Sequence, residues 1–307
     1  MTPPDPRPRL DVEFEAAGGV VLRGWLYLPP MGDGPGPGVV MNHGFSATRH
    51  MGLPAFAEVF AAAGLAVLLY DHRNLGDSGG EPRGLIDPWP QMLDARTAIS
   101  WLATRPEVDA ERLGLWGSSF SGGEAICVAA VDRRVRAVVA NVPFAGLGLI
   151  DPEGATDRGV TFAAITDVLD GRRPVPADPP MGPMPVVREP GSATPGFLDQ
   201  PESAEWFLAA GGPGTGWANE VTVRFSADPP FDPGACIERL APTPLLMVVA
   251  ADDRVAAADM ALSAFAVASE PKQLEIIPGH HFSDYEEPGF GHAATVMRDF
   301  LVEHLRA

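Results

Sequence analysis

Hydrophobic and polar residues alternate twice near the start of the chain, in DVEFEA (11–16) and VVLRGWLYL (20–28), with Ala17-Gly18-Gly19 between them. Period-two alternation interrupted by a glycine pair predicts an antiparallel hairpin. Pro29 to Gly38 is rich in proline and glycine and breaks the pattern. Beyond it, apolar runs of strand length, PGVVMNH, LAVLLYD, RLGLWG, VRAVVAN, PTPLLMVVA and QLEIIPG, are separated by stretches with helical spacing. These helices are expected at Leu53 to Ala63, Trp89 to Thr104, from Ser119 onward, Ala256 to Ala268 and at the C-terminus. Strands that are apolar throughout belong to a sheet covered on both faces, so the pattern predicts an α/β protein with a mostly parallel central sheet.

The alternation lapses between Asn141 and Phe231, and Gly171 to Pro195 holds too many prolines for regular helix or a central strand. Trp206, Phe207, Trp217 and Phe225 offer apolar surface with which such an insert could pack down. The expected organisation is a catalytic core from 1–144 and 232–307, with a cap inserted at 145–231. A chain of 307 residues supports one large core of this kind.

Composition narrows the function classes. The net charge of −18, from 40 acidic and 22 basic residues, gives the surface field the wrong sign for nucleic acid. Cys127 and Cys236 are the only cysteines and form no CxxC spacing, which points to a reducing compartment and hence the cytoplasm. The N-terminus MTPPDPRPRL has no apolar leader segment, and no apolar run reaches membrane-spanning length, so neither export nor a membrane is expected.

The segment LGLWGSSFSGGEA ends a strand at Trp116 and presents Ser119 on a small-residue turn ahead of a helix, the layout of a nucleophile elbow. Gly117, Ser121, Gly122 and Gly123 are the small neighbours a strained turn needs. Were Ser118 the nucleophile, Trp116 would occupy the tight position, so Ser119 is favoured. A serine hydroxyl needs an imidazole base and a carboxylate to orient it. Two later strand ends supply them, in AADDRVA and PGHHFSD. Position within the loops favours Asp253 over Asp252, and His281 over His280. His43-Gly44-Phe45 closes the first core strand, and the backbone N–H groups of Phe45 and Phe120 are the candidate oxyanion donors. His43 itself, with His50, His72, His292 and His304, reads first as packed or solvated. Asp71-His72-Arg73-Asn74 reads as a structural turn, and Gly76 to Gly84 matches no phosphate-binding loop, so neither a metal nor a nucleotide cofactor is expected.

With these residues in place, the chain resembles the α/β-hydrolase superfamily over nearly its whole length. NHGFSATR, YDHRNLGDSGGEPRG, GSSFSGGEA and PGHHF resemble the dienelactone-hydrolase-related branch that includes fungal polyketide acyltransferases and thiohydrolases. The resemblance implies a Ser119-Asp253-His281 triad and an oxyanion hole from Phe45 and Phe120. It departs at Ser121, which stands in a glycine position, and at Ala257, where proline is frequent. It also marks Trp217 to Thr222 as a recurrent element. The expectation is therefore cleavage of an ester or thioester of a small acyl substrate through an acyl-enzyme, without a cofactor. Acyl transfer or cyclisation in polyketide-type biosynthesis and C–C bond hydrolysis are the alternatives. A purely binding protein is disfavoured because all three triad residues are present. A homodimer is kept as a working expectation for assembly.

Overall fold

Each core strand sends alternate residues to opposite faces, and both faces are apolar. In the computed structural model, which describes residues 9–30, 34–146 and 157–306, β3 (Gly36–Asn42), β4 (Ala66–Tyr70) and β10 (Leu245–Ala250) show this most plainly. Val40, Leu68 and Met247 join one hydrophobic cluster, while Val39, Leu69 and Val248 join the other. Such strands are stable only between two helical layers.

The hairpin strands β1 (Leu10–Ala16) and β2 (Val20–Tyr27) begin an eight-stranded sheet that also includes β6 (Val108–Ser118), β7 (Val135–Asn141) and β11 (Lys272–Ile277). The strand order is β1-β2-β4-β3-β6-β7-β10-β11. Only β2 runs against its neighbours, pairing antiparallel with both β1 and β4. Helices α2 (Pro88–Ala103), α3 (Phe120–Val131) and α7 (Ala258–Val267) cover one face, and α1 (Leu53–Ala62) and α8 (Gly289–Leu305) the other. Trp89 and Trp116 are fully buried on opposite sides of the sheet. Among the described residues no helix is long and apolar enough to cross a membrane.

The segment between β7 and β10 divides physically. Helix α4 (Arg158–Leu169) sends Ile165, Val168 and Leu169 into the same cluster as α2 and α3, beside the short α6 (Pro233–Ile237), so it packs as part of the helical layer. The later part carries β8 (Met181–Met184), α5 (Pro201–Ala210) and β9 (Val221–Val223). These form a second, three-stranded sheet in the order β5-β9-β8, where β5 (Leu85–Ile86) comes from the core loop after β4. Pro183 lies in the edge strand β8, where a missing N–H is tolerated. Asn219 fixes this layer, its amide accepting from the Val187 N–H (2.9 Å) and donating to the Val187 carbonyl (3.0 Å). The Thr48 hydroxyl donates to the Thr215 carbonyl (2.9 Å), and Arg224 pairs with Asp87 (3.1 Å). The result is an apolar third cluster between core loops and insert.

Candidate active site

Ser119 sits between the end of β6 and the start of α3 with φ 56° and ψ −118°, a conformation that costs an L-residue about 1–3 kcal/mol unless its surroundings hold it. They do so through the backbone. The Ser119 N–H donates to the Asn141 carbonyl (2.8 Å), and the Ser119 carbonyl accepts from Gly122 (2.9 Å) and Phe144 (2.9 Å). Gly117 permits the tight approach, because a Cβ there would lie 2.0 Å from the Ser121 carbonyl oxygen. The same constraint seats the Gly44 loop against the turn, with a Cβ at Gly44 meeting that of Ser119 at 3.1 Å.

The residues favoured from the sequence converge. His281 Nε2 lies 2.9 Å from Ser119 Oγ, and His281 Nδ1 lies 2.6 Å from Asp253 Oδ2. Asp253 Oδ1 accepts from the N–H groups of Val255 (2.8 Å) and Ala256 (2.9 Å), which fixes the carboxylate in its loop after β10. Both His281 and Asp253 are buried. The neighbours that competed with them in sequence are placed elsewhere. Asp252 and His280 are exposed, and the Ser118 hydroxyl is turned to Tyr285 at 2.6 Å. With Asp253 accepting at Nδ1, the Nδ1–H tautomer leaves Nε2 free to accept the serine proton.

Phe45 and Phe120 lie at the same cavity, their rings in a T-shaped contact at 5.9 Å, and among the described residues neither backbone N–H donates to a protein acceptor. The Phe120 N–H also opens α3, whose dipole favours negative charge at that end. The cavity measures about 390 Å³. Phe197, Trp206, Phe207 and Phe225 of the insert form its roof, over Met51, Phe144, Phe231 and Phe282. The described lining residues include no Asp, Glu, Lys or Arg. Stacked pairs join roof to floor, Phe45 on Phe197 at 4.7 Å and Trp206 on Phe282 at 4.8 Å.

Two features went unread in the sequence. His72 and His43, read as packed residues, belong to a buried polar cluster behind the elbow, together with Ser121 and Glu124. Asp71, Arg73 and Asn74 do form a turn. Asp71 accepts from the Arg49 N–H (2.7 Å) and the Asp77 N–H (2.9 Å), and Arg73 holds Asp94. The second feature is Asp284, fully buried three residues after His281 and accepting from the Asn141 amide. Burial pushes its carboxyl up to about 6, against the opposing Asn141 hydrogen bond and the attraction of His281. Only its location in the folded loop marks it out, since an aspartate after HHF carries no periodic or motif signal.

Because the folded state holds the Asp284 proton more tightly than the unfolded chain, ionising this group costs stability as pH rises toward 6, and the cost is complete above that. Asp284→Asn keeps an oxygen acceptor for Asn141 and removes the charge. It should be more stable than the parent at pH 8 by on the order of 3 kcal/mol, with the gain vanishing below about pH 4. Urea unfolding at the two pH values measures this, and a gain independent of pH would contradict the assignment.

A part-buried serine hydrogen-bonded to a buried imidazole and carboxylate, at the carboxyl ends of a mostly parallel sheet, defines a serine-dependent α/β-hydrolase. The comparisons with known proteins agree and narrow the class. The chain belongs to the family described as X-Pro dipeptidyl-peptidase (S15 family), which it matches over residues 18–178. It is 31% identical over 307 residues to polyketide transferase grgF of a Penicillium species, covering 97% of each chain. It is 32% identical over 271 residues to thiohydrolase aneE of Aspergillus aculeatus, covering 86% of this chain and 83% of that one. The crystal structure of the α/β hydrolase GrgF from Penicillium sp. sh18 superposes with a TM-score of 0.74 at 29% identity, covering 97% of this chain and 99% of that chain.

Proposed function

We propose that the protein cleaves an apolar acyl ester or thioester, with Ser119 as nucleophile, His281 as general base and acid, and Asp253 orienting the imidazole. The observation that carries this reading is the Asp253-His281-Ser119 hydrogen-bonded chain opening into a cavity walled by aromatic rings. Ser119 Oγ attacks the acyl carbonyl while His281 Nε2 takes its proton. The oxyanion is received by the Phe45 and Phe120 N–H groups. His281 then returns the proton to the leaving alcohol or thiol, and water activated by the same nitrogen releases the acid. No step needs a cofactor.

The lining selects the acyl group. Burying aromatic or aliphatic carbon is favourable at roughly 25 cal/mol per Å² of area removed from water, whereas an ionised substrate group would meet no partner among the described lining residues. A dipeptidyl-peptidase, as the family description has it, acts at a free amino terminus, whose ammonium calls for a carboxylate in the pocket, and the described lining supplies none. The relatives named polyketide transferase and thiohydrolase fit the apolar lining better. We assign residues 181–226 the role of lid, and place the protein in the cytoplasm on the strength of its two buried, unbridged cysteines.

Acyl transfer is the second reading, favoured by the aromatic roof, which limits the water able to compete with another acceptor for the acyl-enzyme. A panel of p-nitrophenyl esters and acyl-thioesters of increasing chain length separates the two. Hydrolysis should rise to an optimum at a medium-length or aromatic acyl group and fall for acetyl. A stoichiometric burst without turnover, relieved by adding an alcohol or thiol acceptor, would replace hydrolysis with transfer. No acylation with any member of the panel would defeat both.

A further inference from the structure

The motif position that usually holds the second glycine of the elbow is Ser121 here, and its hydroxyl is fully engaged. Ser121 Oγ donates to Glu124 Oε2 (2.7 Å), one turn further along α3, and accepts from His72 Nε2 (2.9 Å) on the loop after β4. The backbone N–H of His72 donates to His43 Nε2 (3.0 Å), which fixes the His43 proton on Nδ1, where it donates to the Gly44 carbonyl (3.0 Å). The two imidazoles meet edge to face at 4.6 Å. All four residues are at most 2% exposed.

This chain of contacts has two ends that matter. One is the first turn of α3, whose opening N–H belongs to Phe120. The other is the His43-Gly44-Phe45 turn, which carries the second candidate oxyanion donor. We infer that His43, His72, Ser121 and Glu124 form a positioning relay that sets the separation of the Phe45 and Phe120 N–H donors. The inference rests on the oxyanion hole proposed above. A glycine at 121 would satisfy the sterics of the elbow, so the hydroxyl is explained by what it joins. Burying a hydroxyl, two imidazoles and a carboxyl costs free energy that an apolar filling would avoid, and their hydrogen bonds offset only part of it, since His72 Nδ1 and Glu124 Oε1 have no partner among the described residues. Burial also holds Glu124 well above the usual carboxylate range, so the relay carries a neutral carboxyl.

These are positioning residues, since none touches the reacting atoms, and the test must separate positioning from packing. Ser121→Gly installs the usual residue of the motif and preserves the turn. It should lower kcat by at least about tenfold with KM within about twofold, because misplaced donors weaken transition-state binding alone. Glu124→Leu should do the same. Glu124→Gln, a neutral isostere that still accepts from Ser121, should restore near-parental kcat. Affinity for a trifluoromethyl ketone, which forms an oxyanion on Ser119, should fall in step with kcat. Affinity for the parent methyl ketone, which does not, should be unchanged. Parental kcat in Ser121→Gly, or a loss of kcat without loss of trifluoromethyl ketone affinity, would overturn the relay. Ser119→Ala is assayed alongside: turnover surviving there would indict the serine assignment itself, while an inactive Ser119→Ala with a fully active Ser121→Gly would indict only the relay.

Discussion

Ser119→Ala is expected to reduce kcat on any accepted ester by about 10⁶-fold, the scale on which removing the nucleophile of a serine triad acts. The structure gives a specific reason to expect no rescue. The adjacent hydroxyl, Ser118, lies on the last residue of β6 and is engaged by Tyr285 at 2.6 Å, whereas the His281 ring is bonded to Ser119 and Asp253. Reaching the imidazole would require turning the strand end over, against the parallel pairing of Ser118 with Asn141. The backbone of Ser119 is held by four main-chain hydrogen bonds that alanine keeps, so the variant should fold with its cavity intact. Binding of a non-hydrolysable substrate analogue should therefore persist. Ser118→Ala serves as the matched control and should retain activity within about tenfold. Turnover by Ser119→Ala above about one hundredth of the parental rate would exclude this serine as the nucleophile.

What the sequence made legible follows from how local each signal is. The core strands announce themselves because burial on both faces makes them apolar throughout, and β3, β4, β7 and β10 lie where those runs fall. The choice of Ser119 over Ser118 was available because Gly117 has to accept a carbonyl oxygen at a distance no side chain allows. The choice of Asp253 and His281 was available from loop position, and the neighbours Asp252 and His280 are indeed exposed. Other features are not local. β5 is two residues long and β9 three, too short to show a period, and they become strands only by meeting each other across 137 positions of sequence separation at Leu85 and Thr222. Helix α4 reads as part of an irregular insert, since what assigns it to the helical layer is the contact of Ile165 and Leu169 with α2 and α3. Ser121 read as merely small, because a hydroxyl bonded to a histidine 49 residues away leaves no trace in the residues beside it.

The insert illustrates how the same aromatic residues serve stability and specificity. Phe45, whose backbone N–H is proposed as an oxyanion donor, packs through its ring on Phe197. Trp206 lines the cavity and stacks on Phe282, the residue that follows His281. The stacking of Phe197 on Phe45 and of Trp206 on Phe282 thus ties the insert to the loops that carry the proposed oxyanion donor and the imidazole.

Asp253→Asn is the most discriminating single change at the site, because the two backbone donors that hold the carboxylate also dictate how an amide would sit. Asp253 Oδ1 accepts from Val255 and Ala256 while Oδ2 faces His281 Nδ1. An asparagine must give its carbonyl oxygen to the two N–H groups, since turning its NH₂ toward them would oppose donor to donor. That leaves the NH₂ facing Nδ1, which then has to be the unprotonated, accepting nitrogen. The proton moves to Nε2, and an Nε2–H directed at Ser119 Oγ is unable to receive the serine proton. A fall in kcat of about 10⁴-fold near pH 7 is expected, with KM changed little, since Asp253 is absent from the cavity lining. Asp284, the other buried carboxylate of this region, is engaged by Asn141 and does not replace the lost partner. Asp253→Ala removes the misdirecting amide and should retain more activity than Asp253→Asn despite losing more atoms. If Asp253→Asn stays within about tenfold of the parent, the carboxylate does not set the tautomer, and another group must be found to orient His281.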